Sequence, residues 1–154
     1  PLLLDIKHDA VVDPLGAWAA GRADVDLFAV CTDGAEPLNR LRGRAPRLAR
    51  WRTLPVYAPR PETTARHVAA CALRRLLVGR LERLAAEVGA AAVTVDRWAV
   101  STALCATARR LGLPLTAWTV NEPRVAARMR RRGADFVTTD QPRLLGASVR
   151  AGLG

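Results

Sequence analysis

Leu113 to Pro142 reads LPLTAWTVNEPRVAARMRRRGADFVTTDQP, and this stretch decides the fold. A short apolar strand ends in Trp118-Thr119-Val120-Asn121. An Arg-rich helix follows and stops at Gly133. A second strand, Asp135 to Thr139, ends in Asp140. Two strands joined by a helix of this length belong side by side in a parallel sheet, because parallel neighbours need a crossover connection. Polar residues and a Trp collect at the C-terminal strand ends, where α/β folds keep their chemistry.

The same alternation extends backwards through the chain. Leu2 to Lys7 reads as a strand, followed by a helix from Asp13-Pro14, with Asp as N-cap and Pro at the first helical position, to about Gly21. Asp26 to Cys31 is predicted to be the second strand, Gly34 to Arg44 a helix with Leu38 and Leu41 on one face, and Ala49 to Val56 a short strand. A long helix is predicted from Glu62 to Val88, with Val68, Ala72, Leu76, Leu77, Leu81, Leu84 and Val88 on one stripe at helical spacing. Ala91 to Val95 is the next strand. Ala99 to Leu111 is a helix ended by Gly112. Asn121 and Asp140 are expected to cap the helices that follow them. About five or six βα units result, with no Gly/Ser linker between them, as one domain over residues 1–154. Such repeats give an open doubly wound sheet or a (β/α) barrel. The first βα junction lacks G-x-G-x-x-G, which disfavours a dinucleotide site.

Composition narrows the partners. The chain has 154 residues, half of them hydrophobic and a quarter charged, and a formal net charge of +10. No apolar run approaches the roughly 18–20 residues of a membrane span. The arginines are scattered over several helices without interleaved aromatics, so no nucleic-acid partner is expected; a basic nucleic-acid binder would instead show salt-sensitive binding to any duplex. Arginine outnumbers lysine 23 to 1, which singles out Lys7. Cys31, Cys71 and Cys105 have no metal-pair spacing. They read as small buried hydrophobes in a reducing compartment, and a cytoplasmic location is expected. The opening PLLLDIKHD does not read as a signal peptide, and the absence of an initiator Met suggests a fragment.

Asp5 and Lys7 lie two apart on a strand and share a face. A carboxylate there suits a hard cation and the ammonium suits a phosphate oxygen. A structural ion pair is the other reading. Trp118 is either an apolar wall for the carbon part of a ligand or a core Trp under a loop. His8-Asp9 follows the first strand as an acid/base candidate or a turn. His67 lies within the long helix, and no Ser-His-Asp or Cys-His arrangement is visible.

Trp118-Thr119-Val120-Asn121 and Gly133-Ala134-Asp135-Phe136-Val137-Thr138-Thr139-Asp140-Gln141-Pro142 resemble the closing W-T-V-N … G-V-D-G-I-I-T-D-x-P signature of glycerophosphodiester phosphodiesterases. Leu4-Asp5-Ile6-Lys7 resembles that family's E-I-K strand with Asp for Glu. Val30-Cys31-Thr32-Asp33, followed by Leu38, Leu41 and Pro46, is similar to a degenerate S-F-D strand and its helix. The resemblance implies the C-terminal portion of a TIM-type barrel and metal-dependent hydrolysis of glycerophosphodiesters to an alcohol and sn-glycerol 3-phosphate. It implies that Asp5 stands for a carboxylate holding a divalent cation, Mg or Ca, that Lys7 contacts the phosphate, and that Trp118 lines the pocket mouth. The family's H-R-G, E-x-D and H-D motifs, which supply both catalytic histidines and two metal carboxylates, have no counterpart here. This chain is therefore expected to be inactive alone, with no catalytic residue of its own. A second expectation is a degenerate barrel piece that binds a phosphate ligand or a partner protein. Its open edge would be covered by another chain or by self-association.

Overall fold

The structure, a computed structural model, describes residues 2–54 and 64–150, with side chains given for 2–54 and 72–146. The end of the predicted strand at Val56, the Glu62 start of the long helix, and the side chains of His67, Val68 and Cys71 lie outside the described residues.

Among the described residues six strands alternate with six helices. In chain order they are β1 (Leu2–Asp5), α1 (Val12–Ala20), β2 (Phe28–Thr32), α2 (Ala35–Arg44), β3 (Ala49–Thr53), α3 (Thr64–Ala86), β4 (Ala92–Asp96), α4 (Thr102–Arg110), β5 (Leu115–Trp118), α5 (Pro123–Arg132), β6 (Phe136–Val137) and α6 (Pro142–Arg150). The strands form one sheet in the order β1 to β6, and every neighbouring pair is parallel. Strand order that follows chain order, with a helix at each crossover, is the wiring of a barrel; a doubly wound sheet reverses its order at a switch point.

Curvature confirms the choice. Trp51 on β3 and Phe136 on β6 lie three strand spacings apart, about 14 Å on a flat sheet. Their rings stack at 6.5 Å. The sheet therefore curls toward the face that carries both rings, giving a partial TIM-type barrel of six βα units.

The convex face builds the core. Leu54, Val93, Val95, Leu115 and Ala117 pack against Leu77, Leu81 and Leu104 of α3 and α4 and Met129 of α5. A second cluster joins Ile6 and Val30 to Val12, Leu38 and Leu41 of α1 and α2. Leu38, Leu41, Leu81, Leu104 and Leu115 are fully buried, each worth about 1.5–3 kcal/mol.

Several local expectations are corrected. In α3 the buried stripe is Leu77, Leu81 and Ala85, continued by Val88 just beyond the helix, while Leu76 is exposed. Neither Leu76 nor Leu77 breaks the helical period, so spacing alone did not fix the stripe's centre. The helix α1 starts at Val12, one residue before Asp13, and Asp13 pairs with Arg40 and Arg44 of α2 instead of capping. Asn121 is not the cap of α5; that position is Glu122. Asp26 belongs to a 3₁₀ turn ahead of β2. Ser101 caps α4 with its side chain, its hydroxyl accepting from Leu104 N at 3.1 Å. The helix stops at Gly112 and Gly133 hold, with φ of +68° and +97°.

Candidate functional site

The concave face opens into a cleft of about 630 Å³ at the C-terminal strand ends. Three sequence-predicted residues meet there: Asp5 and Lys7 from the end of β1, and Trp118 from the end of β5. The period of two along β1 turns Leu4 and Ile6 toward α1 and α2. Leu3, Asp5 and Lys7 are turned to the cleft, and Ile6 also reaches its lining.

Lys7 Nζ lies 2.5 Å from Asp5 Oδ2, with 75% and 50% of the two side chains exposed. The ion pair read from the sequence and the shared inward face are thus both present. At this exposure the pair contributes little to stability, about 0–1 kcal/mol. Its effect is to fix an ammonium at the rim.

Cys31 sits beside Asp5 in parallel register. Burial, then the Asp5 charge, push its thiol up to about 12. It is therefore a neutral wall and a weak donor, not a nucleophile. Sequence reading placed it correctly among buried small residues but missed that it faces the cleft; the signal was its alternation with Val30 on β2. The floor carries hydroxyls, with Thr94 Oγ1 donating to Thr53 Oγ1 at 3.0 Å. Asp9, read from the sequence beside His8, lines the cleft; Asp33 and Thr138 also line it and were missed, although Asp33 directly follows a strand end. His8 does not line it. His8 is exposed, and its carbonyl accepts from Val11 N in the turn before α1.

The loops after β5 and β6 are stitched together. Asn121 Oδ1 accepts from Thr139 Oγ1 at 3.1 Å and from Asp140 N at 2.9 Å. Asn121 Nδ2 donates to Asp140 Oδ2 at 3.0 Å. Asn121 and Asp140 therefore hold each other across two loops, Asn121 doing so rather than capping α5, which positions the backbone that follows Trp118.

A divalent cation needs six or more oxygen ligands. Among the described residues no three His, Cys, Asp or Glu side chains converge to hold a metal. Asp5 alone supplies at most two oxygens, and one of them already faces Lys7. The described residues do not by themselves fit the cation.

A parallel half-barrel with an ammonium, carboxylates and an indole at its C-terminal mouth has the architecture of a TIM-type barrel, whose sites lie at that face. The glycerophosphoryl diester phosphodiesterase family model matches residues 10–144, and the chain belongs to that family. Trp118 lies within the match, whereas Asp5 and Lys7 precede it. Three solved structures share the fold. One, named as a glycerophosphoryl diester phosphodiesterase from Silicibacter pomeroyi, is 24% identical with a TM-score of 0.63, over 98% of this chain and 50% of that one. One, named as a glycerophosphodiester phosphodiesterase from Galdieria sulphuraria, is 15% identical with a TM-score of 0.69, over 97% and 57%. The third, an Oleispira antarctica phosphodiesterase in complex with the product sn-glycerol 3-phosphate, is 16% identical with a TM-score of 0.66, over 97% and 55%. This chain spans about half the length of each. No curated protein matches it significantly.

Proposed function

We propose that this chain forms the ligand-holding side of a glycerophosphodiester cleft. Lys7 meets a phosphate oxygen as a point charge. The Trp118 ring covers the carbon part of the ligand, and the hydroxyls of Thr53 and Thr94 offer a polar floor. Asp5 gives one carboxylate to a divalent cation, Mg or Ca, only where further ligands come from beyond the described residues. The observation that carries the reading is the convergence of Asp5 and Lys7 with Trp118, more than 100 positions further along the chain, on one cleft.

Hydrolysis of a phosphodiester needs a positioned proton donor and acceptor. Thr hydroxyls, a high-pKa thiol and an ammonium paired with its neighbouring carboxylate are suited to holding. The chain alone is therefore expected to bind a phosphate ester without turning one over. Calorimetric titration of sn-glycerol 3-phosphate should show saturable binding that weakens at least tenfold in Lys7→Ala. Turnover of glycerophosphocholine by the purified chain would overturn the division between holding and cleaving. Undiminished binding by Lys7→Ala would overturn the site.

A further inference from the structure

The two ends of the half-barrel carry opposite charge. The cleft end presents Asp5, Asp9 and Asp33, with Lys7 as the cation of its lining. At the other end the strands begin and the helices finish, because each helix runs back against its strand. Arg83 lies in the last turn of α3, Arg109 and Arg110 in that of α4, and Arg130 and Arg131 in that of α5. All five are exposed. None forms an ion pair among the described residues; of the acids at the same end, Asp24 and Asp26 are held by Arg22 and Arg47, Glu87 faces Arg52, and Asp135 accepts from Leu115 N. The helix dipole favours a cation at each of these ends. It does not account for α4 and α5 together carrying seven arginines and no acidic residue.

Apolar side chains stand at this same end. Leu2 at the start of β1 is 61% exposed, Leu27 just before β2 is 63% exposed, and Phe136 at the start of β6 is 55% exposed. The open sheet edges explain Leu2 and Phe136 but not Leu27, because β2 has a neighbour on each side. Large apolar side chains at the same end as arginines without ion pairs are the composition of a surface that lies on an anionic bilayer. The face is an array of helix ends rather than a groove, and α4 and α5 carry no aromatic residue on which bases could stack.

We propose that the end of the barrel opposite the cleft docks on an anionic phospholipid surface and leaves the cleft facing water. This goes beyond the ligand-holding reading and does not depend on it. The arginines supply charge complementarity, worth roughly fivefold in partition for each arginine near such a surface, and Leu27 inserts at the headgroup boundary.

The test is co-sedimentation of the full chain with phosphatidylcholine vesicles, with and without about 30% phosphatidylserine, at low and raised salt. Binding is expected only to the anionic vesicles and should fall with salt. Arg130→Gln with Arg131→Gln should weaken it roughly 30-fold, while the two Arg→Lys changes should retain most of it. Thermal melts of both variants should match the parent, since the side chains are exposed. Equal binding to both vesicle types, binding to neither, or an unchanged Gln variant would overturn the proposal. Displacement from vesicles by duplex DNA at equal phosphate concentration would assign the face to nucleic acid instead.

Discussion

Replacing Asn121 by Ala tests whether the two halves of the closing motif are one structural unit. The side chain makes three hydrogen bonds, two accepted at Oδ1 and one donated from Nδ2. The Thr139 bond is part-buried and should contribute about 1 kcal/mol, while the two exposed bonds to Asp140 contribute about 0.5 kcal/mol each after competition with water. Asn121→Ala should therefore cost about 2 kcal/mol, or about 4–8 °C in Tm for a chain of this size. Asn121→Asp is the sharper variant. It keeps an acceptor for Thr139 Oγ1 and Asp140 N but sets a second carboxylate where Nδ2 lay 3.0 Å from Asp140 Oδ2. Like charges at that distance raise the new group's pKa above its unfolded value near 4. The folded state then holds the extra proton more tightly, so stability falls as pH rises through that range, and the penalty is relieved at acid pH. Urea denaturation followed by circular dichroism, at neutral pH and near pH 4, measures both effects. A loss below about 0.5 kcal/mol for the Ala variant, or an Asp variant indistinguishable from the parent at neutral pH, would refute the reasoning.

Further expectations follow from single residues. At pH 8 Cys31, with its thiol pushed from 9.0 to about 12, should alkylate roughly a thousandfold more slowly in the folded chain than in urea, read by peptide mass mapping; equal rates would contradict its burial beside Asp5. The same tight hold on the proton makes its contribution complete below about pH 9 and lost as pH rises toward 12, so Cys31→Ala should flatten the alkaline fall in unfolding free energy. Leu81→Ala should cost about 2–5 kcal/mol in urea denaturation, because Leu81 is fully buried between α3 and the sheet. Gly133→Ala should cost about 1–3 kcal/mol, since its φ is +97° and the added Cβ would lie 3.3 Å from that of Cys105; an unchanged melt would show that the turn relaxes.

The parallel pairing of strands was legible in the sequence because strand, helix and glycine stop recur, but the repeats left a doubly wound sheet and a barrel equally open, and only the resemblance carried by the W-T-V-N and T-D-x-P segments pointed to the barrel. Asp5 and Lys7 were legible because strand side chains alternate, so two residues two apart must share a face. Cys31, Asp33 and Thr94 were harder to see, because which face of each strand turns inward depends on the direction in which the sheet curls. Asn121 was misread for a related reason. A residue of cap type just before Glu-Pro has a local partner in sequence, but its true partners, Thr139 and Asp140, lie 18 and 19 positions away. The charge separation between the two ends was hidden in the sequence by the scatter of arginines, and it emerges only when the last turns of α3, α4 and α5 are gathered at one end.

The central claim is that Lys7 and Trp118 hold a phosphate ester in the cleft formed by β1, β2 and β5. A crystal of this chain soaked with sn-glycerol 3-phosphate tests it most directly. The expected density places the phosphate within about 4 Å of Lys7 Nζ, at ion-pair distance, with the glycerol carbons against the Trp118 ring. Density that leaves the cleft empty and settles the phosphate among the arginines of α4 and α5 would contradict it.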